Sequence, residues 1–593
     1  MSKTQPKPEG LSLLQAIAVG VNTTSPAYSL AAILAPMALL VGYSTPIVLV
    51  VSFIPMALTS LAFMYLNRRD PDCGTTFSWV TRALGPKPGF IAGLVIASAG
   101  ILILGSLAET AITYGFLTFG LNGLADNRTL VVICAALLIV LMTGFAIAGS
   151  DSSIRMQTII SFTQVGILLA FGVAAAILAF QDPLPFDNPD WLNPLSKGLD
   201  PLIAALLLGV FAFWGWEAAT NLSEECRKPS DAGRAGVLST VILLTTYVLV
   251  AITVAIYLGK SGFYPVGDSG LVLVDMSGVA FGPMAFMVLV AVAISALAST
   301  QSSMVPGSRA VLSMARRGAL PARLGLVHPR FKSPWVSLCL IGGIAAGWYL
   351  IISMISENAM LDTLSSLGIL VAFYYSLTGI SCVIYYRKHV VASVKGFLLV
   401  GVGPILGSLG LAFMLVVGVR SVWNPADSAS GVPWLGLAPP LAIAAIVAVL
   451  VVTIMIWRMI RAPQFFRNNR ERANYVQSPF PIGPELPIKP GGVLIDCNAD
   501  AHEVVAHVNA HAQELRSASP VVMVFGIHPA GVSGEEFEAA REALIDTGYE
   551  IFVRTEQALK DIGVRNPIKF FDEGESHASV AYAKEVAQPS LTI

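Results

Sequence analysis

Polar residues in the middle of an otherwise apolar run are the first candidates for binding a small solute. The run extends from Ser12 to Tyr43, and its interruption consists of Asn22, Thr23, Thr24, Ser25, Pro26 and Tyr28. Backbone groups without partners are costly in lipid, so such a break persists only where protein or water supplies hydrogen bonds. Two interpretations remain open at this point. The break is a proline kink packed against other helices, or a discontinuous helix whose ends face a solute.

A second interruption lies in the apolar segment that ends near residue 222. Gly209 and Gly215 bracket a group of bulky aromatic residues, and Glu217 comes two positions later. A carboxylate inside a membrane-spanning segment is rare, and a functional role is its default interpretation. If the two interruptions fall in the first and sixth helices, the pattern predicts a five-plus-five inverted repeat in which paired broken helices hold a substrate at mid-membrane.

A third apolar segment adds candidates for the same cavity. Glu109 is either a residue near the outer end of a tilted helix or an acid that faces the cavity, where it pairs with an amine or carries a proton. Gly105 and Ser106, one turn earlier, are predicted to lie nearer the depth of the pocket. Phe373 is a further candidate for the lining, with packing alone as the alternative.

Hydroxyl groups are concentrated in the segment ISALASTQSSMVPGSR. Ser299, Thr300 and Ser303 supply the hard oxygen ligands that suit a small cation such as sodium. The alternative is that these hydroxyls donate to carbonyl groups of their own helix. No other metal site is predicted, because the histidines and cysteines lack the spacing of metal ligands. We expect no cofactor.

The composition places these candidates in a membrane protein. The chain has 593 residues, of which 55% are hydrophobic and 12% are charged, whereas soluble domains carry about 25% charged residues. Apolar runs long enough to cross a hydrocarbon layer of about 30 Å recur along most of the chain. Twelve spans are predicted: 12–42, 46–66, 88–120, 129–149, 155–180, 200–222, 235–259, 284–312, 334–355, 360–386, 396–419 and 436–460. No cleavable signal peptide is expected.

Basic residues are distributed unequally between the loops that alternate along these spans. One set of loops contains most of the lysine and arginine residues, among them Arg82, Arg227, Arg317 and Lys395, whereas the other set contains few. Short loops rich in lysine and arginine remain in the cytoplasm. We therefore predict a multi-pass protein of the cell membrane with both termini in the cytoplasm.

Three regions are predicted from the patterning of the whole chain. Residues 1–462 form a twelve-helix membrane domain, residues 463–489 a basic and then Pro/Gly-rich linker, and residues 490–593 a cytosolic domain, called the tail below. In the tail, GVLIDC, PVVMVFGI, YEIFVR and IKFF are typical of strands. AHEVVAHVNAHAQELRS and SGEEFEAAREALIDTG are typical of amphipathic helices. The alternation indicates a small α/β domain.

The role of the tail is less directly indicated. The loop GIHPAGVSGEE has the character of an anion-binding turn before a helix. It lacks the lysine of a P-loop and a full dinucleotide fingerprint. We therefore interpret the tail as a regulatory module or as a module through which the chain forms a homodimer, with nucleotide binding as the alternative.

Three segments resemble motifs of the amino acid–polyamine–organocation (APC) family of transporters. FAFWGWEAATNLSEECRKP is similar to the sixth-span signature, with Glu217 followed by the paired Glu224 and Glu225. CGTTFSWVTRALGPKPGF is similar to the family's first cytoplasmic loop, and GSRAVLSMARRGALPARLGLVHPRFKSPW to the loop after its eighth span. The resemblance covers roughly residues 10–460. It implies an all-α membrane domain of LeuT type, with helices 1 and 6 broken and with access alternating between the two sides.

The resemblance also implies where a substrate binds. Phe211 would correspond to the aromatic residue that closes over the substrate, and the backbone of the two breaks would line the pocket. The implied contacts are Val21, Asn22, Thr23, Thr24, Ser25, Phe211, Ala212, Phe213 and Gly215. Two departures from the family pattern stand out. Pro26 offers no amide to a substrate carboxylate, and Gln164 stands where some proton-coupled members have a lysine, although glutamine carries no charge.

These observations predict a secondary active transporter rather than an enzyme, because no nucleophile–base pair or metal constellation appears at membrane depth. The expected substrate is an amino acid or a related amine. The expected coupling ion is a proton carried by Glu109 or Glu217, with sodium as the alternative. Two alternative functions remain open. The protein is an importer of polyamines, monoamines or potassium, or a nutrient-sensing transceptor that signals through the tail. A channel is not favoured, because it would need a continuous polar path. No nucleic-acid partner is expected.

Overall fold

The computed structural model describes most of the chain between residues 10 and 466, together with parts of the tail. The described residues are 10–149, 151–180, 189–261, 273, 277, 281–331, 333–355, 358–390, 394–428, 430–466, 493–496, 501–512, 515, 521–526, 554–555, 557–559, 561, 568–572 and 591–592. The chain divides into two compact units. The larger unit comprises Lys7–Ala473, and the smaller one contains Asn474–Ile593.

Helices form nearly all of the described part of the larger unit. In chain order, and labelled α1 to α18, they are Leu13–Thr24, Pro26–Val41, Thr45–Arg69, Thr76–Leu84, Pro86–Thr118, Asn122–Ala125, Arg128–Ala148, Asp151–Phe180, Leu199–Ala212, Pro229–Ser261, Phe286–Ser302, Met304–Arg316, Trp335–Ile355, Ala359–Tyr385, Arg387–Val390, Val394–Gly396, Gly403–Ser421 and Pro439–Arg461. A 3₁₀ segment, Trp216–Leu222, follows α9, and a π-helical stretch, Phe397–Val402, joins α16 to α17.

Eleven helical segments among the described residues are long and apolar enough to cross a membrane. The first of them, Leu13–Arg69, has 57 residues and contains α1, α2 and α3. At 1.5 Å per residue it provides about 86 Å of helix, more than one crossing takes. It also turns at the 3₁₀ segment Gly42–Ser44. The predicted count of twelve spans requires that this segment crosses twice, and the count stays a prediction.

The first break is built by local backbone chemistry. A capping box begins α1, in which the Ser12 hydroxyl accepts from the Gln15 amide and the Gln15 side chain accepts from the Ser12 amide. The helix ends at Thr24, and Ser25 has left-handed backbone angles, φ 57° and ψ 67°. Pro26 then opens α2. Proline disfavours the α conformation in the preceding residue and suits the first position of a new helix, so the chain must restart here.

The second break follows from a glycine. Helix α9 ends at Ala212, and the chain continues through Gly215 at φ 117° into the 3₁₀ segment Trp216–Leu222. Glycine adopts positive φ without steric cost, whereas other residues do so rarely. The predicted span 200–222 is therefore a helix, a glycine turn and a 3₁₀ segment in succession.

Large aromatic side chains pack beside the second break. Phe63 of α3 lies in the centre of this group, with ring centroids 5.3 Å from Trp79, 5.0 Å from Trp216 and 5.6 Å from Tyr375. All four side chains are fully buried. Edge-to-face pairs of this kind stabilise a packed interior beyond the burial of area. They hold the residues around Gly215 against α3, α4 and α14.

The described part of the tail contains a parallel sheet. Its strands, labelled β1 to β4, are Val493–Asp496, Val521–Gly526, Ile568–Asp572 and Leu591–Thr592, and their order across the sheet is β3-β2-β1-β4. Helix α19, Ala501–Ala510, lies between β1 and β2 along the chain, as the crossover of parallel strands requires. The predicted helix at 533–548, all of the loop 526–536 except Gly526, and the predicted strand at 549–554 except Arg554 lie outside the described residues. Arg554 is helical. The α/β class of the whole tail and the boundaries of the three regions stay predictions.

Candidate functional site

The two helix breaks are in direct contact. A Cβ atom added to Gly215 would lie 2.8 Å from the carbonyl carbon of Thr23 and 2.8 Å from the amide nitrogen of Thr24. Real Cβ atoms do not approach backbone so closely, so only glycine permits this contact. The structure therefore brings together the two interruptions that the sequence places almost 200 residues apart.

The contact between the two breaks brings the C-terminal ends of α1 and α9 close to the N-terminal end of α2. The first amides of α2, those of Ala27 and Tyr28, lie in the turn where a helix leaves its amides without intrahelical acceptors. This end carries a partial positive charge, whereas the last turns of α1 and α9 carry a partial negative charge. Some carbonyls are already engaged: Thr24 accepts from the Ser29 hydroxyl at 2.7 Å, and Ala212 accepts from the Tyr247 hydroxyl at 2.9 Å.

The hydroxyls of the first break have different partners. Those of Thr23 and Thr24 donate to carbonyls one turn back, Val19 at 2.8 Å and Gly20 at 3.0 Å. The Ser25 hydroxyl instead shares a hydrogen bond of 2.8 Å with Ser295 of α11. Sequence reasoning missed Ser295, although it lies one helical turn before Ser299 and thus on the same face.

Helix α5 contributes one hydroxyl to the first break. Ser106 shares a hydrogen bond of 2.7 Å with the Tyr28 hydroxyl of α2. Gly105 faces another way, because a Cβ there would lie 2.6 Å from the Tyr349 ring of α13. Glu109, one turn later, also meets α13, where its carboxylate accepts from the Tyr349 hydroxyl at 3.1 Å. Among these candidates, Ser106 adjoins the break, and Gly105 and Glu109 adjoin α13.

The aromatic residues at the end of α9 are buried. Phe213 packs on Phe53 and Tyr247, with ring centroids 5.3 and 5.1 Å apart. Phe211 keeps 7% of its surface exposed, whereas Ala212 and Phe213 keep none. Phe373 of α14 is partly buried against the same core. A gating role for Phe211 and a lining role for Phe373 stay predictions.

Glu217 is buried just after the second break, with 2% of its surface exposed. Its carboxylate accepts from the Gly215 amide at 3.1 Å, from the Tyr374 hydroxyl at 2.6 Å and from the Tyr375 hydroxyl. Trp214 donates in turn to the Tyr374 oxygen at 2.6 Å. Sequence reasoning did not connect the two tyrosines with Glu217. The signal that could have identified them is chemical, because a buried carboxylate must find donors.

Gln164 of α8 is linked to the first break through Asn22. Its side-chain nitrogen donates to the Asn22 side-chain oxygen at 2.7 Å, and the Asn22 side-chain nitrogen donates to the Gln157 carbonyl at 2.7 Å. Within the described part of the chain, the Gln164 side-chain oxygen is buried and has no hydrogen-bond partner. The neutral amide of Gln164 thus occupies the position where some proton-coupled members of the family have a lysine.

The candidate sodium ligands do not act as one group. The Ser299 hydroxyl donates to the Thr23 carbonyl at 3.0 Å and lies 3.2 Å from the Ser303 hydroxyl. The Thr300 hydroxyl donates to Ala296 of its own helix at 2.8 Å. Ser299 and Ser303 therefore support the first break, and Thr300 has the back-bonded geometry that was the alternative.

An ion-pair network lies at the end of the larger unit that carries the loops predicted to be cytoplasmic, called the basic end below. Its centre is Asp72, which follows α3. Five groups donate to the Asp72 carboxylate: the Gly74 amide, the Ser78 and Ser313 hydroxyls, and the Arg82 and Arg317 guanidiniums. Burial alone would raise the pKa of Asp72, but the charge of Arg317 and these hydrogen bonds hold it below its ordinary value.

Two further ion pairs extend the network to the residues that follow the second break. Glu224 pairs with Arg316 of α12 at 3.0 Å and accepts from the Cys73 amide at 3.0 Å. Glu225 pairs with Arg309 of α12 at 2.6 Å. Charged residues from each of the three family-like motifs thus meet here. Asp72, Cys73 and Glu224 could offer ligands to a metal, but arginines already compensate both carboxylates, so the chemistry is that of ion pairs.

Comparisons with known proteins agree with this architecture. A transporter of Mycobacterium tuberculosis with no assigned substrate is 28% identical over 378 residues, which are 63% of this chain and 79% of that protein. The methylthioribose transporter of Bacillus subtilis is 25% identical over 365 residues, 58% of this chain and 74% of its own. Cationic amino acid transporter 4 of Arabidopsis thaliana, a vacuolar protein, is 27% identical over 395 residues, 61% of each chain.

A solved structure shares the fold. The manganese transporter of Eremococcus coleocola superposes with a TM-score of 0.50 at 14% identity, covering 78% of this chain and 98% of that one. At this identity the likeness is one of fold alone. The amino acid permease family profile matches residues 11–456. The chain therefore belongs to the amino acid permease family of the APC transporters and is a multi-pass membrane protein.

Proposed function

We propose that this permease is a secondary active transporter that takes up amino acids or related amines by alternating access. The observation that carries the proposal is the contact between the two breaks, at Gly215 and at Thr23–Thr24. Paired broken helices offer backbone groups to a solute where protein surrounds them, which lipid alone does not allow. The name of one relative, a cationic amino acid transporter, supports a substrate with an amino group.

The helix ends favour a zwitterion. The positive end of α2 suits a carboxylate, and the negative ends of α1 and α9 suit an ammonium group. An α-amino acid satisfies both, whereas a polyamine or monoamine satisfies only the second. Pro26 removes one amide from the carboxylate side, which leaves the amides of Ala27 and Tyr28. An amino acid is therefore our first choice of substrate, and an amine is the second.

Coupling to protons is supported by Glu217. All three groups around its carboxylate donate to it, and the ionised carboxylate, which only accepts, suits all three. A proton on Glu217 turns one of its oxygens into a donor, so at least one of these hydrogen bonds must reverse its direction or break. Two of these bonds come from α14, and their loss would free the second break from that helix. Proton binding would thus be linked to movement of the broken helix.

Glu109 is the second proton candidate. It is only partly buried, and its partner Tyr349 belongs to α13 rather than to a broken helix. Sodium is less well supported. The Thr23 carbonyl, which a cation near α11 would use, accepts instead from Ser299, and Gln164 bonds to Asn22.

The orientation and the tail complete the proposal. We place both termini and the basic end in the cytoplasm, because short basic loops stay on that side. With this orientation, the ion-pair network would close the cytoplasmic face of the permease. The tail is placed in the cytoplasm as a regulatory domain or a site of homodimer contact, since its composition differs from that of the membrane domain.

Uptake in proteoliposomes tests the proposal. A panel of radiolabelled amino acids is offered under an imposed inward pH gradient without sodium, and Gly215→Val serves as the inactive control. The second stage is competition between an amino acid and its decarboxylated amine. Uptake driven by the pH gradient and inhibited by the amino acid supports the proposal. Inhibition by the amine alone makes the substrate an amine, and uptake that requires a sodium gradient removes the proton-coupled part.

A further inference from the structure

A short aromatic segment follows the last span, and the proposed transport cycle does not use it. Residues 463–466 are helical, and Phe465 is 5% exposed. Its ring stacks on Phe77 of α4 with centroids 6.2 Å apart and lies 6.5 Å from Phe90 of α5. Phe466 packs on the same Phe90 at 5.4 Å. We call Phe465 and Phe466 the aromatic brace.

The last turn of α18 adds a polar contact beside the brace. Arg458 is buried, and its guanidinium donates to the carbonyls of Ala319 at 2.8 Å and Gly318 at 2.9 Å. These carbonyls belong to the turn after α12, directly after Arg317. Gly318 has φ 69°, which is the left-handed conformation that commonly ends a helix. Arg458 therefore holds the turn that carries Arg317 into the ion-pair network.

The apolar cluster that contains the brace includes residues of two helices, α4 and α12, that also supply the ion-pair network. In α4, Phe77 packs on the brace while its neighbour Ser78 donates to Asp72 at 2.7 Å. In α12, Met314 lies in the same apolar cluster as the brace, while its neighbour Ser313 donates to Asp72 at 3.1 Å. Apolar contacts on one side of these two helices thus accompany polar contacts on the other side.

We propose that Phe465, together with Arg458, positions α4 and the turn after α12 so that Asp72 meets Arg317 and the basic end closes. The inference rests on the proposed alternating access, because it assigns the brace to one state of that cycle. Loss of the brace removes ring contacts with α4 and α5 and weakens the apolar cluster that also contains Met314 of α12. The open state of the basic end then gains population relative to the closed state.

A native cysteine reports on closure. Cys73 is 3% exposed and adjoins Asp72 and Glu224. Burial and these two carboxylates raise the pKa of its thiol well above the ordinary value, so the closed form reacts slowly with maleimides. Cys382, which is fully buried in α14, is the internal control, because its labelling rises only when the protein unfolds.

The experiment measures labelling of the full chain in nanodiscs, where a maleimide reaches both faces, with each cysteine followed by mass spectrometry. Phe465→Ala should raise the labelling rate of Cys73 by about tenfold, the factor that an aromatic contact can contribute. Phe465→Leu, which keeps an apolar side chain, should restore most of the slow rate. Ile460→Ala, at a position 74% exposed, should match the wild type, and labelling of Cys382 should not change.

Two truncations repeat the test without a point substitution. A chain that ends after Arg472 keeps the brace, and a chain that ends after Ala462 lacks it. We expect fast labelling of Cys73 only in the shorter chain. If the Phe465→Ala protein unfolds, the comparison of the two truncations tests the proposal in its place. Equal labelling in all chains overturns the proposal, and so does an equal increase in both truncations, which would assign the effect to the tail. Uptake by the same proteins is measured in parallel. If the wild type shows no uptake, the proposed transport function fails, whereas the labelling rates still test the role of the brace.

Discussion

Gly215 lies against the carbonyl group of Thr23, so the backbones of the two broken helices touch without an intervening side chain. The contact fixes the distance between the half-helix ends that we propose as the binding site. It also makes the site sensitive to a single added methyl group, because a Cβ at residue 215 would lie 2.8 Å from backbone atoms on the opposite break.

Gly215→Ala should abolish uptake and lower thermal stability. Overpacking of a tight contact costs about 1–3 kcal/mol, and φ 117° adds strain for any residue with a side chain. Gly343→Ala is the matched control, since a Cβ at this α13 position would meet nothing within 4 Å. Thermal melts in detergent and uptake in proteoliposomes measure both effects. A Gly215→Ala variant with normal stability and uptake would contradict the close contact.

Glu217→Gln should eliminate uptake, or uncouple it from the pH gradient, in a protein that still folds. The glutamine amide adds a donor where three donors already point, and one unsatisfied buried group costs about 1–3 kcal/mol. Tyr375→Phe removes a single donor and should cause a smaller loss. Uptake assays over a range of pH values compare the two variants. Full activity of Glu217→Gln with unchanged pH dependence would reduce Glu217 to a structural hydrogen-bond acceptor.

Gln164→Leu should lower uptake while leaving it driven by the pH gradient. The substitution removes the donor to Asn22 and leaves a buried amide oxygen without its partner, at a cost of about 1–3 kcal/mol. Gln157→Leu is the matched control, because only the backbone carbonyl of Gln157 bonds to Asn22. Initial uptake rates with and without a sodium gradient check the result. Greater loss in Gln157→Leu than in Gln164→Leu would show that the Asn22 link is unimportant.

Asp72 should contribute to stability at neutral pH and lose that contribution in acid. Its pKa in the folded chain lies below the ordinary value, so the stabilisation is complete above the unfolded value of about 3.9 and disappears as the pH falls through the folded pKa. Asp72→Asn should lower the melting temperature at pH 7 and should lack this part of the acid decline. Melting curves of both proteins between pH 7 and pH 3 make the comparison, and parallel curves would argue against the assignment.

The sequence revealed those parts of the site that depend on local chemistry. Pro26 disfavours a continuous helix and Gly215 permits a sharp turn, and a lone Glu217 in an apolar segment stands out by itself. Its donors could not be identified in the same way, because Tyr374 and Tyr375 lie more than 150 residues away in another helix. Hydropathy also gives the depth of a residue in a helix but not the direction in which its side chain points around the helix axis.

The same limit applies to α5 and to the basic end. Gly105 and Ser106 were placed near the pocket by depth alone, and Glu109 was left between the outer end of the helix and the cavity. The structure turns Gly105 and Glu109 toward α13 and only Ser106 toward the break. The ion-pair network depends on the meeting of Asp72 with Arg317, residues 245 positions apart. Most of its members were visible in the sequence only as motif residues or as positive charges that orient the protein in the membrane, and Asp72 itself was not identified.

The hydrogen bond from Ser299 to Thr23 has a consequence for biosynthesis. The carbonyl group that it satisfies belongs to α1, and its partner is synthesised 276 residues later. At about 5–20 residues per second, this interval lasts roughly 14–55 s. During that time the newly made α1 has an unsatisfied polar turn that free lipid does not tolerate. The insertion machinery must therefore retain this helix, or shelter it in water, until the eighth predicted span arrives.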